Sequence, residues 1–436
     1  MGEYTLQVIA ANSFERNRTD PVDAQTMAQA AKIVDDIRTN GENALRRSIS
    51  KYEGRNDDPI LIRKPEMQAA FNRLAPEIQG LLRRTQERIE AFADAQRACL
   101  TNLDIAIPGG RAGHDLSAVQ RVGCYAPGGN YPLPSSVLMT AVTARSAGVA
   151  SVVVTTPSND DLMLGAAWIA GADLVLWAGG AHAIAALAFG IEGLAPVDFI
   201  VGPGNRWVTA AKALVVGRVG IDMLAGPSEL VVAADAGADP ETVAADLLGQ
   251  AEHDVDAVPI LVTTSQSLAE AVAAECERQL AILSTANIAR PALRNGAAVL
   301  CRSRSEMIEV VNRCAPEHLE IQCDDPDAFL AEVQHYGGAF VGAGAAEVFG
   351  DYGAGPNHVL PTGGTARYTG GLSVLTFVRV RTWIRMDELS EAVDVLDDTI
   401  ALANQEGLMG HARSAEARKK GIDVRPSTPS TPGLLR

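Results

Sequence analysis

From about Val119 onward, short runs of β-branched and apolar residues alternate with alanine-rich stretches whose apolar positions recur at helical spacing. The runs at 121–125, 151–155, 173–177, 198–201, 229–233 and 259–263 read as strands. The stretches at 136–146, 165–170, 182–189, 205–215 and 240–250 read as helices. Strand–helix–strand alternation at this spacing predicts parallel sheets covered by helices on both faces. Beyond residue 285 the pattern continues more loosely, with strands expected at 298–301 and 338–341. The segment 343–376 is rich in Gly, Pro and Thr, without periodicity, and reads as a functional loop.

The two ends of the chain look different. Residues 1–20 form a polar arm ending at Thr19-Asp20-Pro21. From Val22 to Leu103 the pattern is helical, with Ala31, Val34, Ile37, Ala44 and Leu45 on one face and a break at Asn40-Gly41. A second long helix is expected over 77–100, with Leu81, Ile89, Phe92 and Ala95 as its apolar positions. A long helix is expected over 386–421, and the Pro/Ser/Thr-rich 426–432 reads as a frayed end.

Composition narrows the function classes. With 436 residues, 47% of them hydrophobic, the chain can build two or three packed domains. A net charge of −16 excludes a phosphate backbone or an anionic membrane as partner, since both need a basic face. No secretory leader, myristoylation pattern or twenty-residue apolar span is expected. The 6 cysteines are scattered, with no Cys-x-x-Cys, which fits a reducing cytoplasm rather than a disulfide scaffold.

Candidate chemistry collects in a few places. Gln250 and His253, three apart near a helix end, share a face, and their amide oxygen and imidazole nitrogen can both ligate a divalent metal such as zinc. The same pair is also an ordinary feature of a solvated helix surface. Glu317-His318, just after Pro316, sets an acid beside a base where a loop or helix start would let both address one substrate. Asp351 and His358 lie in a glycine-loosened stretch. His411 is expected on the C-terminal helix, with Glu406 five residues before it. His114 and His335 read as structural. No Gly-x-Gly-x-x-Gly or P-loop occurs, but three glycine-rich turns follow strands, at 126–130, 178–182 and 201–205. Each leads into a helix, whose first N–H groups suit a pyrophosphate.

Longer stretches resemble one family. Arg121-Val-Gly-Cys-Tyr-Ala-Pro-Gly-Gly129, Val201-Gly-Pro-Gly-Asn205, Ile221-Asp-Met-Leu-Ala-Gly-Pro-Ser-Glu229, Ala244–Asp254, Ala315-Pro-Glu-His-Leu-Glu-Ile321 and Gly350–Thr362 resemble, in order, histidinol dehydrogenase. The resemblance runs from about residue 30 to 420. It implies two incomplete Rossmann-like parallel-sheet α/β domains, one inserted in the other, with helical N- and C-terminal arms. The implied boundaries are an arm at 1–20, a first domain at 21–122 and 230–373, a second on the NAD side at 123–229, and a C-terminal tail at 374–436 swapped to the partner subunit of a homodimer.

It also implies one zinc ion per subunit held by Gln250, His253, Asp351 and His411, the last from the partner subunit. Glu317 and His318 become the acid–base residues. Ser228, Gln250, His253, His318, Asp351, Glu406 and His411 line the substrate site, and NAD lies near Tyr125, His182 and Asn205. The implied activity is cytoplasmic oxidation of L-histidinol, through the aldehyde, to L-histidine with two NAD+, ending histidine biosynthesis. His182 departs from the family's usual Gln, and the stretches 341–349 and 366–374 are less typical. Paralogues in the family oxidise other small alcohols, among them a sulfonated propanediol, and a non-catalytic binder would not need the Glu317-His318 pair.

Overall fold

The structure, a computed structural model, describes residues 5–16, 20–56, 59–128 and 132–423. The Gly129-Asn130 end of the first glycine-rich turn, the first four residues of the N-terminal arm and the 426–432 segment lie outside the described residues. The chain forms two compact units, Met1–Arg97 with Ala118–Phe377 and Ala98–Ser117 with Val378–Arg436.

The first unit contains two six-stranded sheets. One runs Val8–Ala10, Ala297–Leu300, Val258–Thr263, Glu229–Ala234, His318–Gln322, Gly338–Val341, with every neighbouring pair parallel. The other runs Leu61–Arg63, Leu174–Trp177, Ser151–Thr156, Arg121–Tyr125, Phe199–Val201, Gly220–Ile221, and only its Leu61–Arg63 edge is antiparallel. Both have the same connectivity. Leaving aside the edge strand from earlier in the chain, the first strand is followed by two on one side and then two on the other. That is the Rossmann-like order. Glu229–Ala234 and Val258–Thr263 are buried at every position, as a parallel sheet covered on both faces requires.

Local sequence sets the helices between them. Asp23 caps helix Ala24–Glu53 by accepting the Thr26 N–H, Gly41 breaks it at φ 52°, and Gly54 ends it at φ 71°. Its buried face, Ala30, Val34, Ile37, Ala44 and Leu45, packs with helix Gly180–Phe189 in the core of the Arg121–Tyr125 sheet. The segment from Ala24 to Arg63, expected with the first domain, therefore packs on the second sheet. Helix Pro76–Ala98 forms as expected but buries Leu82, Thr85, Ile89 and Ala93. Leu81 and Phe92, expected inside, face outward because the true buried stripe is offset by one residue and includes a polar threonine.

In the second unit, Leu103–Ile107 and Gly110–Ala118 form a hairpin, and Val378–Met386 completes a three-stranded sheet. The long C-terminal helix resolves into two, Val393–Gln405 and Met409–Asp423, broken by Gly407 at φ 75°. Among the described residues, no helix is long and apolar enough to cross a membrane.

Candidate active site

Ser228 and Glu229 open one central strand, and Glu317 and His318 open its neighbour, so all four stand at the amino ends of the first sheet. The chain reaches Glu317 through an unusual bend. Ala315 caps helix Arg304–Cys314 at φ 46°, the one non-glycine positive φ among the described residues, and Pro316 follows. The bend is locked from the far side, where Gly337 N and Gly338 N donate to the carbonyls of Pro316 and Glu317 at 2.8 Å each. A Cβ on Gly337 would lie 2.6 Å from the Glu317 carbonyl oxygen, so glycine is required there. The expected loop or helix start is thus a strand start.

Helix Pro240–Ala251 runs back along the sheet and delivers Gln250 to the same end, with His253 just beyond it. Gln250 Nε2 donates to Ser228 Oγ at 3.0 Å, and its Oε1 lies 3.3 Å from His318 Nδ1. Ser228 Oγ in turn donates to Glu317 Oε2 at 2.6 Å, and the Glu229 N–H donates to the same oxygen at 3.0 Å. His318 Nδ1 also sits 3.2 Å from the Glu229 carbonyl, while its Nε2 is buried with no hydrogen-bond partner. One face of the base is fixed and the other is open.

Asp351 arrives on a short helix, Glu347–Asp351, rather than the expected loop. Four apart on that helix, Glu347 and Asp351 share a side. His253 Nε2 lies 3.2 Å from Glu347 Oε1 and 3.5 Å from Asp351 Oδ2. Ligand atoms of His253, Glu347 and Asp351 all fall within 4.8 Å of one another, a nitrogen-and-oxygen set that suits zinc. Glu347 Oε2 is buried without a partner, a second sign that the group fits a cation. Sequence reasoning missed Glu347; its i, i+4 relation to Asp351 was the available signal. His358 supports the helix from below, its Nδ1 3.1 Å from the Asp351 carbonyl oxygen and its Nε2 3.4 Å from Ser136 Oγ.

The electrostatics follow from this crowding. Burial pushes the Glu317 carboxyl up to about 7, against the opposing pull of His318, Ser228 and the Glu229 N–H. Burial opposes charge on His253, but Glu347, Asp351 and Glu317 outweigh it and raise the imidazole to about 9. His318 is raised in the same way, burial again being outweighed by Glu347, Glu317 and Asp351. Behind them, burial and the neighbouring Asp246 carboxyl push Glu320 up to about 9, and burial raises Asp246 as well.

Tyr125, His182 and Asn205 occupy the carboxyl ends of the second sheet. Tyr125 Oη accepts the Gly180 N–H at 3.1 Å. Glu53 Oε1 accepts the Gly179 N–H at 2.9 Å and lies 2.8 Å from His182 Nε2, while Tyr52 stacks on the imidazole. The anion position at this glycine-rich turn is therefore taken by the chain's own Glu53, which no sequence signal had marked. Asn205 caps helix Arg206–Val215 through Trp207 N and Val208 N. The Gly202 turn before it is held by a buried Lys212–Asp222 pair, with Lys212 donating to the Gly202 carbonyl and Asp222 accepting the Gly202 N–H.

Glu406 and His411 belong to the second unit, where both are exposed. Glu406 caps one helix and His411 stands in the next, so they do not share the single helix the sequence suggested.

Comparison with known proteins agrees with this arrangement. The family model described as histidinol dehydrogenase matches residues 16–419. The chain is 44% identical over 390 residues to the histidinol dehydrogenase of Thermus thermophilus, spanning 89% of this chain and 93% of that protein. It is 41% identical over 394 residues to histidinol dehydrogenase homolog 1 of Mesorhizobium japonicum, spanning 88% and 78%. The crystal structure of histidinol dehydrogenase from Elizabethkingia anophelis superimposes with a TM-score of 0.90 at 30% identity, covering 97% of this chain and 100% of that one. By sequence and by fold, the chain belongs to the histidinol dehydrogenase family.

Proposed function

We propose that the chain oxidises L-histidinol to L-histidine through the bound aldehyde, reducing two NAD+, as a cytoplasmic homodimer. The observation that carries this reading is the buried Glu317-His318 pair beside the His253, Glu347 and Asp351 donors. It joins proton transfer to a cation site at one sheet end.

His318 is the base of the alcohol step. Its Nδ1 is held by the Glu229 carbonyl and Gln250, leaving the open Nε2 to take the hydroxyl proton as the carbon-bound hydrogen departs with its electron pair. Glu317 serves the second step. A carboxyl near 7 is available in both protonation states at neutral pH, so it can accept a proton from the water that adds to the aldehyde carbon. Ser228 and the Glu229 N–H hold Glu317 Oε2, leaving its other oxygen for that water. Loss of a second hydride from the hydrate then gives the acid.

Gln250, His253 and Asp351, with His411 of the partner subunit, would hold zinc. Bound zinc would supply a Lewis acid that orients the substrate for loss of hydride. Tyr125, His182 and Asn205, at the carboxyl end of the second sheet, would hold NAD+, which would supply the hydride acceptor. Glu406 of the partner subunit completes the substrate site.

The test is NADH formed per L-histidinol consumed. Two per substrate, lost on chelation and restored by zinc, is the expected result. No turnover despite bound zinc and NAD+ would refute the substrate. In that event the second reading is the same scaffold acting on another small polar alcohol.

A further inference from the structure

The strand His318–Gln322 buries a polar face. His318, Glu320 and Gln322 are two apart and share one side, and all three are buried. Leu319 and Ile321 fill the apolar core on the other side. The polar side meets Asp246 and Gln250, one turn apart on helix Pro240–Ala251. His318 meets Gln250, and Gln322 Nε2 donates to Asp246 Oδ2 at 2.8 Å. Glu320, fully buried, lies between these contacts. Its carboxyl neighbours that of Asp246, its Oε2 accepts from Gln322 Nε2 at 3.4 Å, and its Oε1 accepts the backbone N–H of Glu347 at 2.8 Å.

Together these contacts join three elements. Asp246 belongs to the helix that presents Gln250 and His253, Glu320 to the strand that starts with His318, and Glu347 to the helix that ends at Asp351. The Glu347–Asp351 helix needs such support. At five residues it is a little over one turn, too short to stand by its own hydrogen bonds. Its N-cap, Ala346, has no side-chain acceptor, and Val348 and Phe349 are exposed rather than packed. Arg88 Nε donates to the Gly353 carbonyl just beyond its far end. Glu320 holds the near end.

We infer that Glu320 is a positioning residue, anchoring the Glu347–Asp351 helix against the helix of Gln250 and His253 so that the cation ligands stand ready before the ion arrives. This rests on the metal reading above. The anchor is a hydrogen bond rather than a charge. A glutamine at 320 can still accept the Glu347 N–H through its amide oxygen, with its NH2 toward the Asp246 carboxylate. A leucine of similar volume can do neither.

The test compares full-length wild type, Glu320→Gln and Glu320→Leu, each stripped of metal. Zinc affinity is measured by competition with a chromophoric chelator, and amide exchange at Glu347 by mass spectrometry with electron-transfer fragmentation. Glu320→Gln should bind zinc within a few-fold of wild type. Glu320→Leu should weaken it by roughly 10–100-fold, the usual effect of losing a residue that orients metal ligands, with faster exchange at Glu347 and an intact cooperative melt. Wild-type affinity and exchange in folded Glu320→Leu, or equal damage in both variants, overturns the anchor. Should the leucine variant not fold, wild type still decides, because a Glu347 amide exchanging as fast as that of exposed Val348 also overturns it. Wild type that takes up no zinc refutes the metal reading instead, and Glu347 protection then judges the anchor separately.

Discussion

With its imidazole raised to about 9, His253 is expected to carry a proton at pH 7 that a bound cation would have to displace. Glu347 at 3.2 Å and Asp351 at 3.5 Å hold its imidazole up to about 9, so at pH 7 the site is occupied by a proton on the nitrogen that would bind metal. Each pH unit below that value lowers apparent metal affinity about tenfold, or roughly a hundredfold at pH 7. The side chain is 42% exposed, and solvent screening trims the expected factor to between about ten and a hundred. Stability of the metal-free fold moves the other way. A pKa raised by folding contributes stability fully below the ordinary histidine value, and that contribution is lost as pH rises through about 9. Calorimetry of zinc binding in two buffers of different ionisation enthalpy reads the proton directly. About one proton from His253 should leave per zinc at pH 7, and chelator competition should show affinity climbing to pH 9. Glu347→Gln removes the nearest carboxylate and should lower the proton release at pH 7. Flat affinity between pH 7 and 9 with no proton released would refute the argument.

Glu317→Gln should retain zinc and the first oxidation but slow the second by roughly 10²–10⁴-fold, so NADH per histidinol falls from two toward one; full acid production would remove Glu317 from the water step. Lys212→Met leaves Asp222 buried beneath the Gly202 turn without its cation, and should cost about 3–5 kcal/mol in urea denaturation. A change under about 1 kcal/mol would show that the pair is not what holds that turn. His411→Asn should lose zinc and activity while the dimer persists on a sizing column, and unchanged zinc content would take His411 out of the ligand set.

Much of the fold was legible because the central strands are short continuous apolar runs rich in Val, Ile and Leu, as a sheet covered on both faces requires. The strand His318–Gln322 escaped notice for the opposite reason. Its alternation of polar and apolar residues looks like a half-exposed edge, yet both faces are buried, with Asp246 and Gln250 satisfying the polar one. Val378–Met386, between the expected loop and the helix expected from 386, was given no element although its basic residues largely alternate with apolar ones at period two. At the site, motifs marked Glu317, His318, Gln250, His253 and Asp351. They did not mark Glu53, Glu320 or Glu347, whose importance lies in contacts 129, 27 and 94 residues away in sequence.

The two sheets have one strand order but gather their candidate residues at opposite ends. In the second, Tyr125, Gly179 and Gly202 gather where strands finish, the usual ligand end of an open parallel sheet. In the first, Ser228, Glu317 and His318 gather where strands begin. That end suits proton chemistry, because a parallel sheet's connecting helices finish there and present side chains such as Gln250 rather than free N–H groups. An anion-binding end would have favoured phosphate; this end instead collects carboxylates and imidazoles. Asn357 and His358, in the stretch after Asp351, bond to Met139 and Ser136 on helix Pro134–Ser146, which follows the Tyr125 strand. The stretch after Asp351 thus ties the amino end of one sheet, with its carboxylates and imidazoles, to the carboxyl end of the other, so the duplicated topology brings two chemically different sheet ends together.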